Sequence, residues 1–134
     1  MDAEDLKKRT KLFALRVLKL AAARPNSIEG RAIRGQLVRA GTSVGANYRA
    51  SCRARSRAEF IAKIGVVEEE ADESGYWLEL IIDGKLMAAK RVTPLLIEAG
   101  ELMRIMASSR VTASARNSNS KRKTNRQSAI GNRQ

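Results

Sequence analysis

Residues 53 to 60 read Arg53-Ala54-Arg55-Ser56-Arg57-Ala58-Glu59-Phe60, and the fold turns on them. Ser56-Arg57-Ala58-Glu59 has the form of a capping box, in which the serine hydroxyl and the glutamate carboxylate each satisfy a free backbone N–H at a helix start. The basic segment before it carries a helical pattern of its own, so the short joint at Arg53 to Arg57 predicts an antiparallel helical hairpin.

Working forward, the helix opened by Ser56 extends to Asp83, with Gly84 able to take the left-handed conformation that stops it. That is a rod of about 40 Å. Phe60, Ile64, Val67, Ala71, Leu78 and Ile82 form its core stripe, and Glu68, Glu69, Asp72, Glu79 and Asp83 its solvent side. Val66, Trp77 and Leu80 make a further apolar strip flanked by Glu70 and Glu73, which leaves Trp77 at least partly exposed in a monomer. Thr93 as cap and Pro94 at the first helical position open a last helix, with Leu95, Ala99, Leu102 and Met106 facing inward.

Working backward, the preceding helix starts near Ser27, capped by Asn26 or Ser27, and continues to about Ala54. Between Gly30 and Ala58 the chain places seven arginines and no acid. On one continuous helix Arg31, Arg39, Arg49, Arg53 and Arg57 fall within an arc of roughly 80°, opposite Ile33, Leu37, Ala40, Val44 and Tyr48. Gly35, Gly41 and Gly45, with Ala40 and Ala46, add a small-residue surface. It permits either close helix approach inside the bundle or backbone contact with a ligand. The first helix runs from about Asp5 to Ala23, with Leu6, Phe13, Val17 and Leu20 on its core side and Pro25 with Asn26 ending it.

These elements predict an all-α, antiparallel up-and-down four-helix bundle over residues 1–107. From Ser108 onward Ser, Asn, Arg, Lys, Gln and Thr dominate, too little apolar surface to offset the entropy of ordering. Residues 108–134 are therefore expected to be a disordered basic tail, either an arm drawn to phosphate backbones or a dispensable extension. Leu15, Leu18 and Ala22 form a second stripe on the first helix. With Val66, Trp77 and Leu80 they supply more apolar surface than one copy covers, which predicts a homo-oligomer with these six residues in its interface.

The 134 residues carry 26 basic and 14 acidic side chains, a net charge of +12. Seven of the basic residues lie in the acid-free tail, and without them the net charge is +5. The body is thus only moderately basic, and its arginine clustering matters more than its total charge. No apolar run approaches the roughly 20 residues of a membrane span. The acidic start Met1-Asp2-Ala3-Glu4-Asp5 is unlike the cationic start of a signal peptide. With Cys52 as the lone cysteine, a cytoplasmic protein without a disulfide or a membrane partner is expected.

The chain contains no histidine, which removes the usual neutral-pH acid–base group and the common zinc and haem ligand sets. No glycine-rich phosphate loop or nucleophile-and-base set is present, so neither an enzyme nor a cofactor is expected. Glu68-Glu69-Glu70 with Asp72-Glu73 reads as a solvated acidic face rather than a metal site. Cys52, beside Arg53, is expected to be a small, mostly packed helix residue rather than a reactive thiol. Two readings of the arginine ridge stand. Arginine forks suit phosphate groups, giving non-specific binding of RNA or DNA through Arg31, Arg39, Arg49, Arg53 and Arg57. Alternatively, the ridge bridges to the acidic helix of a neighbouring subunit, and the competing function is a protein-binding scaffold that uses the Val66, Trp77 and Leu80 strip and has no nucleic-acid role.

Three stretches carry a family resemblance: residues 36–50, from Gln36-Leu37-Val38-Arg39-Ala40-Gly41 to Asn47-Tyr48-Arg49-Ala50; then Ala58-Glu59-Phe60-Ile61-Ala62-Lys63; then residues 69–80, from Glu69-Glu70-Ala71-Asp72-Glu73 to Trp77-Leu78-Glu79-Leu80. Together they closely resemble the four-helix-bundle protein family, also called the 23S rRNA intervening-sequence protein family, over roughly residues 10 to 107. The resemblance implies a left-handed bundle assembled as a ring-like homopentamer, some members being encoded within insertions in ribosomal RNA genes. It also implies a likeness to accessory proteins of diversity-generating retroelements, which bind nucleic acid and a reverse transcriptase through a basic surface. At Arg49-Ala50-Ser51 this chain departs from the Ala-Glu-Gly that many members carry after the asparagine, toward a more basic variant.

Overall fold

The computed structural model describes residues 1–23 and 26–131. Four helices follow in order: α1 (Ala3–Ala22), α2 (Ile28–Ser51), α3 (Arg57–Asp83) and α4 (Ala89–Gly131). Each packs beside its sequence neighbour and α4 closes back on α1, with no diagonal pair among the described residues. Among the described residues there is no strand. The fold is the expected all-α up-and-down bundle.

Local chemistry sets the helix starts. Asp2 and Asp5 form a full capping box on α1, and the Ser27 hydroxyl accepts from Gly30 N at 3.0 Å on α2. Ser56 accepts from Glu59 N at 3.1 Å as expected. The Glu59 carboxylate, however, accepts from the N–H of Arg55 at 3.2 Å rather than from that of Ser56. The stop of α3 also differs from expectation. Gly84 keeps a right-handed φ of −78°, and Lys85 takes the left-handed turn at φ 56°. Lys85 N bonds to Ile82 O and Leu86 N to Ile81 O, both at 3.0 Å. This is a Schellman closure with lysine in the place usually held by glycine. The stop expected at Pro25 lies outside the described residues.

The core joins one stripe from each helix. Phe13 and Val17 from α1, Leu37 and Val44 from α2, Ile64, Val67 and Leu78 from α3, and Leu102 and Met106 from α4 are fully buried. Ile81, not Ile82, completes the α3 stripe, because the alternating three-four spacing of Ile64, Val67, Ala71, Ser74 and Leu78 arrives at Ile81, and Phe60 and Ile82 are half-buried at the two ends. A Cβ added at Gly41 would stand 2.7 Å from Val17 Cγ2, and one at Gly45 would stand 3.4 Å from the Thr10 backbone. The small residues of α2 thus serve close approach to α1. Gly35 meets nothing within 4 Å and takes no part in this contact.

Helix α4 departs most from the sequence expectation. It begins at Ala89, one turn before Thr93, because Val92 is fully buried and holds that turn on the core. Pro94 therefore sits inside the helix, and the Thr93 hydroxyl donates to Ala89 O at 2.8 Å instead of capping. Its far end also differs, since residues 108–131 continue the helix where a disordered tail was expected. From Ser108 to Ile130 there is neither proline nor glycine to break it. The compositional reading of that stretch still holds in one respect: Ala113 is the last buried residue among those described. Arg133 of the expected basic arm lies outside the described residues.

Candidate nucleic-acid interface

The five arginines read as one ridge do not form one. Helix α2 ends at Ser51, Arg53 lies in the connection and Arg57 opens α3, so the angular register assumed through residue 57 is broken. Arg31 and Arg53 belong to opposite ends of the bundle.

Several arginines of the middle and far end already have partners. Arg31 donates to Asn26 Oδ1 at 3.0 Å. Arg34 donates to Gly30 O at 3.2 Å and to Ala21 O at 3.1 Å, tying α2 to the end of α1. Arg39 pairs with Glu70 at 3.3 Å and with Glu73 of the same chain. The ion pairs foreseen between neighbours are thus made, for Arg39, within one chain. The Arg39 hydrogen bond holds the Glu73 carboxyl below the usual carboxylate range. For Glu70 burial outweighs the same arginine and pushes its carboxyl up. Arg110 binds Glu68 at 2.7 Å. Arg9 joins α1 to α4, donating to Glu98 at 2.8 and 2.6 Å and to Glu101 at 2.6 Å. The α3 acidic face is therefore partly consumed, and no group of acids that could hold a metal ion occurs among the described residues.

The other end, where α1 and α3 begin and α2 stops, is different. Lys7, Lys8 and Lys11 from α1 meet Arg49 of α2 and Arg53 of the connection around a groove of about 550 Å³. Its floor is small and neutral, formed by Ala14, Gly45 and Ala46. Lys7 is held by Glu4 at 3.1 Å, whereas no carboxylate among the described residues pairs with Lys8, Lys11, Arg49 or Arg53. Antiparallel packing explains this concentration: it sets the lysine-rich first turns of α1 beside the arginine-rich end of α2. The three lysines escaped the sequence reading, which followed the leucines of α1. Their spacing, Lys7 and Lys11 four apart with Lys8 between, was a signal that could have found them.

Arg57 enters a separate cleft of about 830 Å³, where it meets Arg104 and Arg116 of α4. Cys52 is exposed rather than packed, because α2 stops one residue before it. Burial, followed by the neighbouring Cys52, pushes the Tyr48 hydroxyl well above its ordinary range.

The residues expected in an oligomer interface divide in the same way. Leu15 and Leu18 are 54% and 44% exposed, beside Leu12 at 56% and the exposed Ala22. Val66 is 38% exposed, but Trp77 and Leu80 are half-buried. The Trp77 indole donates to Glu73 at 3.3 Å and meets Tyr76 edge-on at 5.1 Å. Much of the α3 strip is thus covered within its own chain, while the α1 stripe is open. Among the described residues no helix is long and apolar enough to cross a membrane.

No curated protein matches the chain. A solved structure from Bacteroides thetaiotaomicron, described as a protein of unknown function from the S23 ribosomal protein family, superposes with a TM-score of 0.75. It is 31% identical and the match covers 82% of this chain and 98% of that one. The model of the 23S rRNA-intervening sequence protein family matches residues 4–108, which takes in all four helices as far as the last turns of the packed core, and the chain belongs to that family.

Proposed function

We propose that this protein is a non-enzymatic, cytoplasmic bundle that binds RNA or DNA without sequence preference, through the groove of Lys8, Lys11, Arg49 and Arg53. One observation carries the reading: four cations from α1, α2 and the connection after α2 surround a floor of small residues, with no carboxylate among the described residues pairing them. The small floor lets a backbone approach, and the arginine forks donate paired hydrogen bonds to phosphate oxygens.

The open leucine stripe of α1 supports homo-oligomerisation, for which the pentamer implied by the family resemblance is the working stoichiometry. In such an assembly each copy would add a groove, so weak phosphate contacts would combine by multivalency.

The test is a salt titration of binding to a labelled single-stranded RNA, with light scattering at the same protein concentration. Four phosphate contacts predict a slope of about −3 in log affinity against log salt. A flat response would favour the protein-binding scaffold. A 14.7 kDa particle at micromolar concentration would remove the oligomer.

A further inference from the structure

The larger cleft, between the start of α3 and the middle of α4, differs in chemistry from the groove. Arg57, Arg104 and Arg116 rim it, and Leu6, Phe60 and Ile105 supply apolar surface. Ser108 and Thr112, one turn apart on α4, add hydroxyls that can donate or accept. No carboxylate lines it, and none among the described residues pairs with its three arginines. At about 830 Å³ it falls within the range of small-ligand pockets, roughly 300–1,000 Å³.

We propose that this cleft takes an unpaired nucleotide of a single-stranded nucleic acid, the base packing against Phe60 and Ile105 while its flanking phosphates meet Arg57, Arg104 and Arg116. The inference rests on the nucleic-acid reading above and names the class of strand. Three arginines with no acid call for an anion, yet a bare phosphate has no use for an apolar floor. A nucleotide supplies both parts. Proteins that bind single strands combine a cationic track with aromatic side chains for the bases. The groove has the cations but no aromatic residue, whereas the cleft has both.

The two recesses are lined by neighbouring residues at one connection. Arg53 lines the groove and Arg57 the cleft, with exposed Arg55 between them in the α2–α3 connection. A strand whose backbone follows Arg49, Arg53, Arg55 and Arg57 passes from one recess to the other. A duplex has its bases paired and stacked, and offers none to the cleft.

Fluorescence anisotropy with a labelled single strand of about 12 nucleotides, an abasic strand of equal length and a duplex tests this. The normal strand is expected to bind about 5- to 150-fold more tightly than the abasic one, the worth of one stacked base. In Phe60→Leu that preference shrinks while abasic binding stays unchanged. Phe60 also packs on the core, so the exposed pair Arg104→Gln with Arg116→Gln provides a second variant, expected to weaken both strands several-fold with an unchanged thermal midpoint. Equal binding of normal and abasic strands would overturn this inference alone. Displacement of the strand by micromolar adenosine monophosphate would assign the cleft to free nucleotides and overturn it as well. Failure of every nucleic acid to bind would overturn the groove reading and this one together.

Discussion

The middle of α2 and its C-terminal end carry the same kinds of residue and use them in opposite ways. Around residues 39 to 45 three residues are committed to neighbours: the Arg39 side chain to Glu70 and Glu73, and the bare backbone of Gly41 and Gly45 to close approach by Val17 and Thr10. Ten residues later Arg49 and Arg53 face a groove with no acid to pair them. Arginine density therefore does not distinguish a structural cation from an available one. What distinguishes them is whether the antiparallel neighbour brings a carboxylate alongside.

If the middle is committed to contact, small changes there should be costly. Gly41→Ala would force a methyl to 2.7 Å from Val17 Cγ2, and overpacking of this kind costs about 1–3 kcal/mol. Gly35→Ala meets open space and should gain roughly 0.5–1 kcal/mol from helix propensity. Urea unfolding of the two variants tests the contrast. Equal effects would dissolve the distinction between spent and open positions along α2.

A smaller effect is expected at the α1–α4 seam. Arg9 and Glu98 are only 24% and 16% exposed at their side chains, so Arg9→Ala should cost about 1–2 kcal/mol, more than a surface pair and less than a fully buried one. Arg49→Ala and Arg53→Ala should stay within about 0.5 kcal/mol. The Arg9 hydrogen bond holds the Glu98 carboxyl below its ordinary range. Its contribution is thus complete above the unfolded carboxylate value near 4.3 and is lost as pH falls through the lower folded one. The stability gap between wild type and Arg9→Ala should be constant from pH 8 to about 5 and close below about 4. A gap that widened in acid would contradict the pairing.

Much of this architecture was legible in the residues. Leu6, Phe13, Val17 and Leu20, and Leu95, Ala99, Leu102 and Met106, are all buried as their spacing predicts. Periodicity reports burial directly, because one face must meet the core. Helix ends were less legible. The ridge from Arg31 to Arg57 assumed unbroken rotation, and a stop at Ser51 spoils it. The Ser51 hydroxyl donates to Tyr48 O at 2.6 Å, a local bond that competes with further helix and resembles any other serine in the text. The groove was half legible: Arg49 and Arg53 were read, but Lys8 and Lys11 become relevant only once α1 lies antiparallel to α2. The second cleft needed Arg104 and Arg116 beside Arg57, a contact between segments nearly 50 residues apart that no local pattern announces.

The central claim is that Arg49 and Arg53 at one end of the bundle are available to phosphate, while Arg31, held by Asn26, and Arg39, held by Glu70 and Glu73, are not. The salt slope of single-strand binding, measured for Arg49→Gln with Arg53→Gln and for Arg31→Gln with Arg39→Gln, tests it most directly. The first pair should reduce the slope by about 1.4, two phosphate contacts at roughly 0.7 each, and the second should leave it unchanged. An equal or larger loss from Arg31 and Arg39 would contradict the account.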